Sequence, residues 1–298
     1  MGRERWAEDF TARAKAHWTP ERTALLLDGK DLPIKPFEAA PLLRAIGLLN
    51  GDGSMPPQHA RKYRQINHMV ILLESAVTDL WSRHARVRLL DAGCGRSYLS
   101  LLFAWLAKNR WSKSIEILGV DRNAALIEEC RRRAVIADVE DVIRFEARPL
   151  ADVEGGEWQG VLALHACDAA TCDAIALGVK VGAELIAVAP CCQAELARGW
   201  AADGGGDFAA VWQIPHLRRE TAAHVTDAMR TLLLRAHGYA TTAMEFVPIE
   251  HTKKNTLIRA VKSAADPGAI EAYQGLVRAT GGVGLALAER LSPPACPR

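Results

Sequence analysis

The sequence predicts an α/β fold built on a parallel β-sheet whose strands are connected by helical crossovers. Short runs of β-branched and aliphatic residues alternate with longer segments of helical periodicity through the middle of the chain. After the first strand, an acid and two glycines lead directly into an apolar helix. The carboxyl ends of parallel strands meet at one edge of a sheet, so we expect functional residues to collect there. The parallel strands are predicted at 87–90, 115–120, 141–146, 160–164 and 183–189.

The composition bounds the class of protein. The 298 residues are 49% apolar, which is enough for one large domain with an extension, and the net charge is +2. No overall electrostatic attraction to nucleic acid follows from that charge, so any basic surface must be local. The charged N-terminus is unlike a signal peptide, and no stretch reaches the ~18 apolar residues of a membrane span. Seven cysteines without a C-x-x-C pair indicate reduced thiols in a cytoplasmic protein and no zinc knuckle.

The first 57 residues are predicted to form a helical N-terminal extension. Residues 4–17 have helical periodicity, and Pro20 after Thr19 is typical of a second helix start. Prolines break up the following segment, and 51–57 is predicted to be a linker. The extension could cover the active face, bind substrate, or only pack against the central domain, predicted at 58–262. A helical tail is predicted at 263–298.

The strongest chemical signal is Asp-Ala-Gly-Cys-Gly at 91–95. Gly93 and Gly95 lack a Cβ, so the chain can turn sharply and a ligand can approach the backbone. A dinucleotide fingerprint would have a small residue where Tyr98 stands, and Asp91 would repel a pyrophosphate. The turn therefore favours a cationic ligand that has an amine and a sulfonium.

This motif resembles the first motif of class I S-adenosylmethionine (SAM) methyltransferases. The resemblance implies a Rossmann-like seven-stranded class I methyltransferase sheet, here with a helical N-terminal extension, and SAM as cofactor. Asp121 follows the second strand, 26 residues after Gly95, about one helix and one strand further along the chain. An acid there can accept both ribose hydroxyls. Asp121 or Asn123 could also cap the helix predicted at 124–135, and the two roles of Asp121 are compatible.

Two further strand ends narrow the resemblance. His165-Ala166-Cys167-Asp168 follows the fourth strand, and Cys191-Cys192-Gln193 follows the fifth. The pattern is similar to a methyltransferase subgroup with His-x-Cys and Cys-Cys-His at these places, which includes eukaryotic acceptor-stem tRNA ribose methyltransferases and related methyltransferase-like proteins. Over residues 62–261, the resemblance implies a SAM-dependent enzyme acting on RNA (tRNA or rRNA, at ribose or base). This chain departs from it at Gln193 and lacks the zinc-finger sequences of the tRNA enzymes.

Methyl transfer needs an acceptor aligned with the sulfonium and, for some acceptors, a base. We predict that Asp168 or His165 accepts the substrate proton, and that Lys254 or Asn255 positions the acceptor or a phosphate. The predicted catalytic residues are Asp168, His165 and Lys254; the predicted cofactor residues are Asp91, Gly93, Gly95, Asp121, Arg122, Glu146, Ala147 and His165; and the predicted substrate residues are Lys62, Gln65, Cys191, Cys192, His251, Lys253 and Asn255. No resident metal, membrane or DNA partner is expected.

Alternatives remain open for several of these residues. Cys167 with Cys191 or Cys192 resembles the cysteine pair of RNA 5-methylcytosine enzymes, in which a thiol attacks the pyrimidine. The same cysteines could be buried packing residues, or metal ligands together with His165. The chain could also methylate a small molecule or a protein, or bind SAM without catalysis.

Three further segments could contact substrate. The cations at the start of the helix predicted at 61–81 could form a solvated face or contact phosphates. Residues 194–215, with Trp200, Trp212 and a run of glycines, are predicted to be a loop and a candidate substrate lid. An antiparallel pair at 240–247 and 256–261 is predicted to close the sheet, and its lysine-containing connection could bind phosphate or only be solvated.

Overall fold

A computed structural model describes residues 2–153, 156–164, 169–190, 194–203, 207–246 and 255–291. Its strands form one sheet in the order β3-β2-β1-β4-β5-β7-β6. Strand β3 is parallel to β2 and β5 is parallel to β4, whereas β7 is antiparallel to both β5 and β6. This is the predicted Rossmann-like seven-stranded sheet with its closing antiparallel pair. The strands are β1 (Arg86–Ala92), β2 (Ser114–Asp121), β3 (Ile143–Ala147), β4 (Gly160–Ala163), β5 (Leu185–Val188), β6 (Tyr239–Glu245) and β7 (Thr256–Lys262).

Helices fill the connections between the strands and precede the sheet. A short π-helical segment (Ala107–Trp111) continues the helix after β1, and a 3-10 turn (Leu150–Asp152) follows β3. The α-helices are α1 (Arg3–His17), α2 (Pro20–Leu27), α3 (Ala40–Ala45), α4 (Pro57–Leu80), α5 (Tyr98–Leu106), α6 (Ala124–Ile136), α7 (Ala169–Lys180), α8 (Ala194–Asp203), α9 (Ala209–Trp212), α10 (Pro215–Ala236), α11 (Ala269–Ala279) and α12 (Ala286–Arg290). No helix of the described ranges is both long and apolar enough to cross a bilayer.

The chain divides into two compact units. The first unit contains Met1–Asp91 and Gly95–Arg148, and the second contains Ala92–Cys94 and Pro149–Arg298. The first unit thus combines the N-terminal helices with β1, β2 and β3, and the second contains β4 to β7 with α7 to α12. The predicted domain boundaries at 57 and 262 remain predictions.

In the first unit, the N-terminal helices pack closely on the segment that precedes α4. Helix α2 begins at Pro20, as predicted, and Thr19 caps it by accepting a hydrogen bond from the Arg22 N–H at 3.4 Å. The Trp18 indole donates to the Gly53 carbonyl at 2.8 Å, and a Cβ on Gly53 would lie 2.9 Å from the Ala14 Cα. The segment predicted to be a linker therefore includes a packed turn.

In the second unit, the prediction of a loop at 194–215 is wrong. This segment contains α8 and α9, and Trp200 and Trp212 are each 1% exposed, with ring centroids 3.3 Å apart. The two indoles are core residues, which excludes them as exposed aromatics of a lid. The alanine-rich sequence of α8 favours a helix, whereas the predicted loop rested on the neighbouring run of glycines.

The second half of the second unit follows the prediction. Helix α10 ends before Gly238, whose φ of +85° is the left-handed conformation typical of a glycine just after a helix C-terminus. Strands β6 and β7 pair from Tyr239 with Lys262 to Glu245 with Thr256. Helices α11 and α12 are the predicted tail helices.

Candidate cofactor site

The turn after β1 has an unusual backbone conformation at alternate residues. Gly93, Gly95 and Ser97 have φ values of +68°, +52° and +50°. The glycines adopt this region freely, whereas a left-handed conformation at Ser97 costs roughly 1–2 kcal/mol. The Ser97 hydroxyl donates to Asp91 Oδ2 at 2.9 Å, which contributes to holding that conformation. Helix α5 then begins at Tyr98.

Asp91 is a buried carboxylate whose hydrogen bonds fall on one side. It is 4% exposed, and its Oδ2 accepts from the hydroxyls of Ser97 (2.9 Å) and Ser100 (2.7 Å). Burial raises the pKa of Asp91 to about 6, the serine hydroxyls lower it, and the charge of Asp121 raises it. No cationic side chain within the described ranges forms an ion pair with Asp91. The carboxylate therefore fits a cationic ligand such as an ammonium or a sulfonium.

Asp121 joins the end of β2 to the glycine turn. Its Oδ2 accepts from the Gly95 backbone N–H at 3.0 Å, and its Oδ1 accepts from the Asn123 N–H at 2.8 Å. The cap of α6 is Asn123, whose Oδ1 accepts from two backbone N–H groups of the first turn. A carboxylate has about four acceptor positions. Asp121 can therefore still accept hydrogen bonds from two ribose hydroxyls.

The end of β3 lies beside Asp121. Ala147 is its register partner, and the Arg148 N–H donates to the Asp121 carbonyl at 3.0 Å. The exposed Ala147 leaves room for a flat base next to the ribose acceptor. The Glu146 side chain forms an ion pair with Arg148 at 3.0 Å, so its carboxylate is engaged at the sheet edge. Arg122 is exposed.

A cluster of cations surrounds Tyr98 at the start of α5. Lys62 Nζ lies 5.1 Å from the ring centroid and Arg133 Cζ lies 5.4 Å from it. One Arg96 guanidinium nitrogen donates to the Tyr98 hydroxyl at 3.3 Å. Cations at this distance are attracted to the ring by its quadrupole. Burial and the charge of Arg96 both lower the pKa of Lys62. We call these four residues the Tyr98 cluster.

Of the Tyr98 cluster, only Lys62 was predicted from the sequence as a site residue. The sequence signal for the cluster is Tyr98 itself, which stands where a dinucleotide fingerprint has a small residue. Ser97 and Ser100 were not predicted either, although the turn and the first turn of α5 place their hydroxyls beside Asp91, six and nine residues earlier. Gln65, also on α4, is half-buried.

Most predicted catalytic and substrate residues lie outside the described residues, namely His165, Cys167, Asp168, Cys191, Cys192, His251, Lys253 and Lys254. Asn255 is described, and its Nδ2 donates to Glu245 Oε1 at 2.5 Å. Within the described ranges, no group of three or more His, Cys, Asp or Glu residues could hold a metal ion.

A comparison with models of protein families assigns an enzyme class to the segment that contains this site. Residues 61–199 match the family model described as a methyltransferase domain. This segment begins near the start of α4 and includes the glycine turn, Asp121 and the first five strands. Residues 61–199 thus contain a methyltransferase domain, the enzyme class predicted from the sequence, and the cofactor of this domain is S-adenosylmethionine. No curated protein matches the chain.

Several solved methyltransferase structures are similar to the chain. One is magnesium protoporphyrin IX methyltransferase from Synechocystis PCC 6803 with bound SAH, which is 16% identical to this chain. The match covers 75% of this chain and 93% of that protein, with a TM-score of 0.43. SAH-bound PaMTH1 from Podospora anserina has 10% identity, 82% and 94% coverage and a TM-score of 0.45. A TehB-like SAM-dependent methyltransferase from Corynebacterium glutamicum has 14% identity, 70% and 100% coverage and a TM-score of 0.33. None of these similarities assigns a substrate to this chain.

Proposed function

We propose that the protein transfers a methyl group from SAM to RNA. The observation that supports this most directly is the arrangement of Asp91 and Asp121 around one glycine turn, with the cationic Tyr98 cluster at the start of the following helix. The two acids fit the cofactor, and the cations fit phosphate groups of a nucleic acid.

The residues of the first unit match the chemistry of SAM. Asp91 would hold the cationic amino-acid part, Asp121 the ribose hydroxyls, and Ala147 would contact the base. The cofactor supplies a methyl group activated by a sulfonium. The protein's own residues would bind and orient it, because two backbone N–H groups hold the Asp121 carboxylate before any ligand arrives.

RNA is the proposed acceptor because the basic surface beside this turn is local and only partly neutralised. Arg61 is exposed on the first turns of α4, next to Lys62, and Lys62 is close enough to Arg96 for the charges to interact. Arg61 and Lys62 form no ion pair with any residue that the structure describes, whereas Arg133 is paired with Glu129. Phosphate contacts from such cations dominate the affinity of nucleic-acid-binding proteins. We call Arg61, Lys62 and Arg96 the basic surface.

The acceptor chemistry rests on the strand-end residues of the sequence analysis. Under this proposal, Asp168 or His165 takes the proton of the attacking hydroxyl or amine, and Lys254 or Asn255 positions the acceptor. A cysteine mechanism at a pyrimidine would instead use the Cys167 thiol with Cys191 or Cys192. Methyl transfer that survives Cys167→Ala, Cys191→Ala and Cys192→Ala would exclude the cysteine mechanism.

Two measurements test the proposal. Calorimetric titration with SAM should show binding that is lost in Asp121→Ala. Incubation with methyl-tritiated SAM and the RNA, protein and small-molecule fractions of a cell extract should then label RNA. Label confined to small molecules or to protein would contradict the RNA substrate. Absence of SAM binding at millimolar concentration would contradict the whole proposal.

A further inference from the structure

We infer that two residues of α6, Cys130 and Arg133, are positioning residues of the cofactor site, because they hold the turn before α5 by its carbonyl groups. The Cys130 thiol donates to the Gly95 carbonyl at 3.3 Å, and one Arg133 guanidinium nitrogen donates to the Arg96 carbonyl at 3.0 Å. All four residues belong to the first unit. The inference rests on the part of the proposed function that assigns this turn to SAM, and not on RNA as the acceptor.

The turn keeps its conformation through contacts with two neighbouring elements. The Gly95 N–H donates to Asp121 Oδ2 at 3.0 Å, so the end of β2 holds the N–H of this residue and α6 holds its carbonyl. Ser97 has a φ of +50°, which a residue with a side chain adopts only where its surroundings impose it. A loss of the contacts from α6 would therefore release a backbone that is not at rest by itself.

The two carbonyl contacts also determine where the next N–H groups point. In a trans peptide the N–H lies opposite to the carbonyl, and the described residues contain no cis peptide bond. The carbonyls of Gly95 and Arg96 are directed at α6, so the N–H groups of Arg96 and Ser97 are directed away from it. Neither N–H donates a hydrogen bond to a residue that the structure describes.

These two N–H groups match the one anionic group of the cofactor. Of residues 95–97, only Gly95 and Ser97 have a positive φ, and an alternation of this kind turns successive N–H groups toward a common anion. SAM carries a carboxylate on the same carbon atom as its ammonium. Asp91 would hold the ammonium, and the N–H groups of Arg96 and Ser97 would hold the carboxylate. Cys130 and Arg133 then act on the cofactor only through the backbone that they orient.

Arg133 is suited to this role because its own guanidinium is fixed. The residue is 7% exposed, and it forms an ion pair with Glu129 one turn earlier on α6. Its Cζ lies 5.4 Å from the centroid of the Tyr98 ring, in the first turn of α5. A guanidinium that is held on three sides presents its N–H to the Arg96 carbonyl in one direction.

The first test compares Arg133→Met with Arg131→Met by calorimetric titration with SAM, at a temperature at which circular dichroism shows each variant to be folded. Arg131 lies on the same helix and also donates to a backbone carbonyl, that of Phe145 in β3, at 2.8 Å. We expect Arg133→Met to weaken SAM binding about tenfold or more, and Arg131→Met to stay within about twofold of wild type.

A second ligand distinguishes positioning from a general loosening of the fold. 5′-Methylthioadenosine has the nucleoside and the thioether of the cofactor but lacks the amino-acid part. Its affinity for Arg133→Met should stay within about twofold of wild type, because it has no carboxylate for the N–H groups of the turn. An equal loss of affinity for SAM and for 5′-methylthioadenosine would show that Arg133 is only structural, and would overturn the inference.

The thiol provides variants that change no charge. Cys130→Ala removes the donor to the Gly95 carbonyl, whereas Cys130→Ser retains one as a hydroxyl. We expect Cys130→Ala to weaken SAM binding about fivefold and Cys130→Ser to restore it to within about twofold of wild type. Wild-type affinity for SAM in both Cys130→Ala and Arg133→Met would overturn the inference and leave the proposed function intact. A wild-type chain that binds no SAM would instead contradict the proposed function, and the inference with it.

Discussion

The backbone N–H of Gly95 donates to Asp121 Oδ2 at 3.0 Å, which ties the turn after β1 to the end of β2. Asn123 holds the other carboxylate oxygen through its own N–H at 2.8 Å. Two backbone donors therefore fix the orientation of the carboxylate. Its remaining lone pairs can accept hydrogen bonds from a diol without a rotation of the side chain. The structure thus explains why an acid one crossover after the glycine turn can serve as a ribose acceptor.

Replacing Asp121 with alanine should abolish most of the affinity for SAM. Hydrogen bonds to a charged group contribute about 1.5–3 kcal/mol each, so the loss of two corresponds to an affinity decrease of about 100-fold or more. Calorimetric titration measures it. Glu128→Gln is the control, because Glu128 is an exposed acid on α6 that pairs only loosely with Arg131 at 3.5 Å. An affinity within about threefold of wild type in Asp121→Ala would contradict the assigned role.

Asp91 should make the protein less stable at neutral pH than an uncharged isostere would. Its pKa in the folded state, about 6, exceeds the ordinary value of 3.8 because the carboxyl is buried. The unfolded chain therefore releases this proton first, and the free energy of unfolding falls as the pH rises from about 4 to about 6. A difference of about two pKa units corresponds to about 3 kcal/mol, which is fully lost above pH ~6.

Asp91→Asn should thus be more stable than wild type by about 2–3 kcal/mol at pH ~7.5 and nearly equal to it at pH ~4. The asparagine carbonyl can still accept from Ser97 and Ser100. The same variant should lose SAM binding, because the charge that compensates the cation is gone. Urea denaturation at both pH values measures the stabilities. A variant that is less stable than wild type at neutral pH would contradict the raised pKa.

The turn and the two acids were predictable because the residue types dictate their local geometry. Glycines at 93 and 95 adopt a positive φ freely, and Asp91 and Asp121 lie at the carboxyl ends of β1 and β2. The Tyr98 cluster was not predictable, because it depends on how α4, α5 and α6 pack. Arg133, for example, donates to the Arg96 carbonyl at 3.0 Å across 37 positions of sequence.

Two features of the second unit could not be predicted from the sequence. Trp200 and Trp212 stack in the core, but the sequence between and around them mixes helix formers with glycines, so neither periodicity nor composition reveals their contact. Arg230 is fully buried, and an arginine is almost never fully buried unless it is paired. Its partners, Asp227 and Cys172, lie on two different helices, and only the packing of α10 against α7 brings them together.

The basic surface should contribute to RNA binding through counterion release. For single-stranded RNA, each phosphate contact adds about 0.7 to the slope of log K against log salt, so Lys62→Ala with Arg96→Ala should lower the slope by about 1.4. Filter binding or fluorescence anisotropy across a salt series measures it. The control is Lys15→Ala with Lys113→Ala, which removes the same charge from two exposed positions on α1 and before β2. Equal slopes in the two double variants would show that the basic surface does not contact phosphates.

The N-terminal extension should prove to be an integral part of the first unit, and a pair of glycines tests this. Gly53 has a φ of +84°, and a Cβ there would lie 2.9 Å from the Ala14 Cα on α1. Gly51 lies two residues earlier, where an added Cβ would have no atom within 4 Å and where φ is not positive. The strained backbone and the overpacking together should cost Gly53→Ala about 2–4 kcal/mol of unfolding free energy. Gly51→Ala should change the stability by less than about 0.5 kcal/mol.

Hydrogen–deuterium exchange of the α1 amides, measured beside denaturation followed by circular dichroism, distinguishes where the loss occurs, because α1 packs against the turn at Gly53. If α1 is part of the cooperative unit that contains β1 and β2, Gly53→Ala lowers the main transition and the protection of the α1 amides together. If α1 only rests on that unit, only the α1 amides lose protection, and the main transition coincides with that of Gly51→Ala. The first outcome would tie the conformation of the extension to the strands that position Asp91 and Asp121, because the same cooperative unit contains all of them.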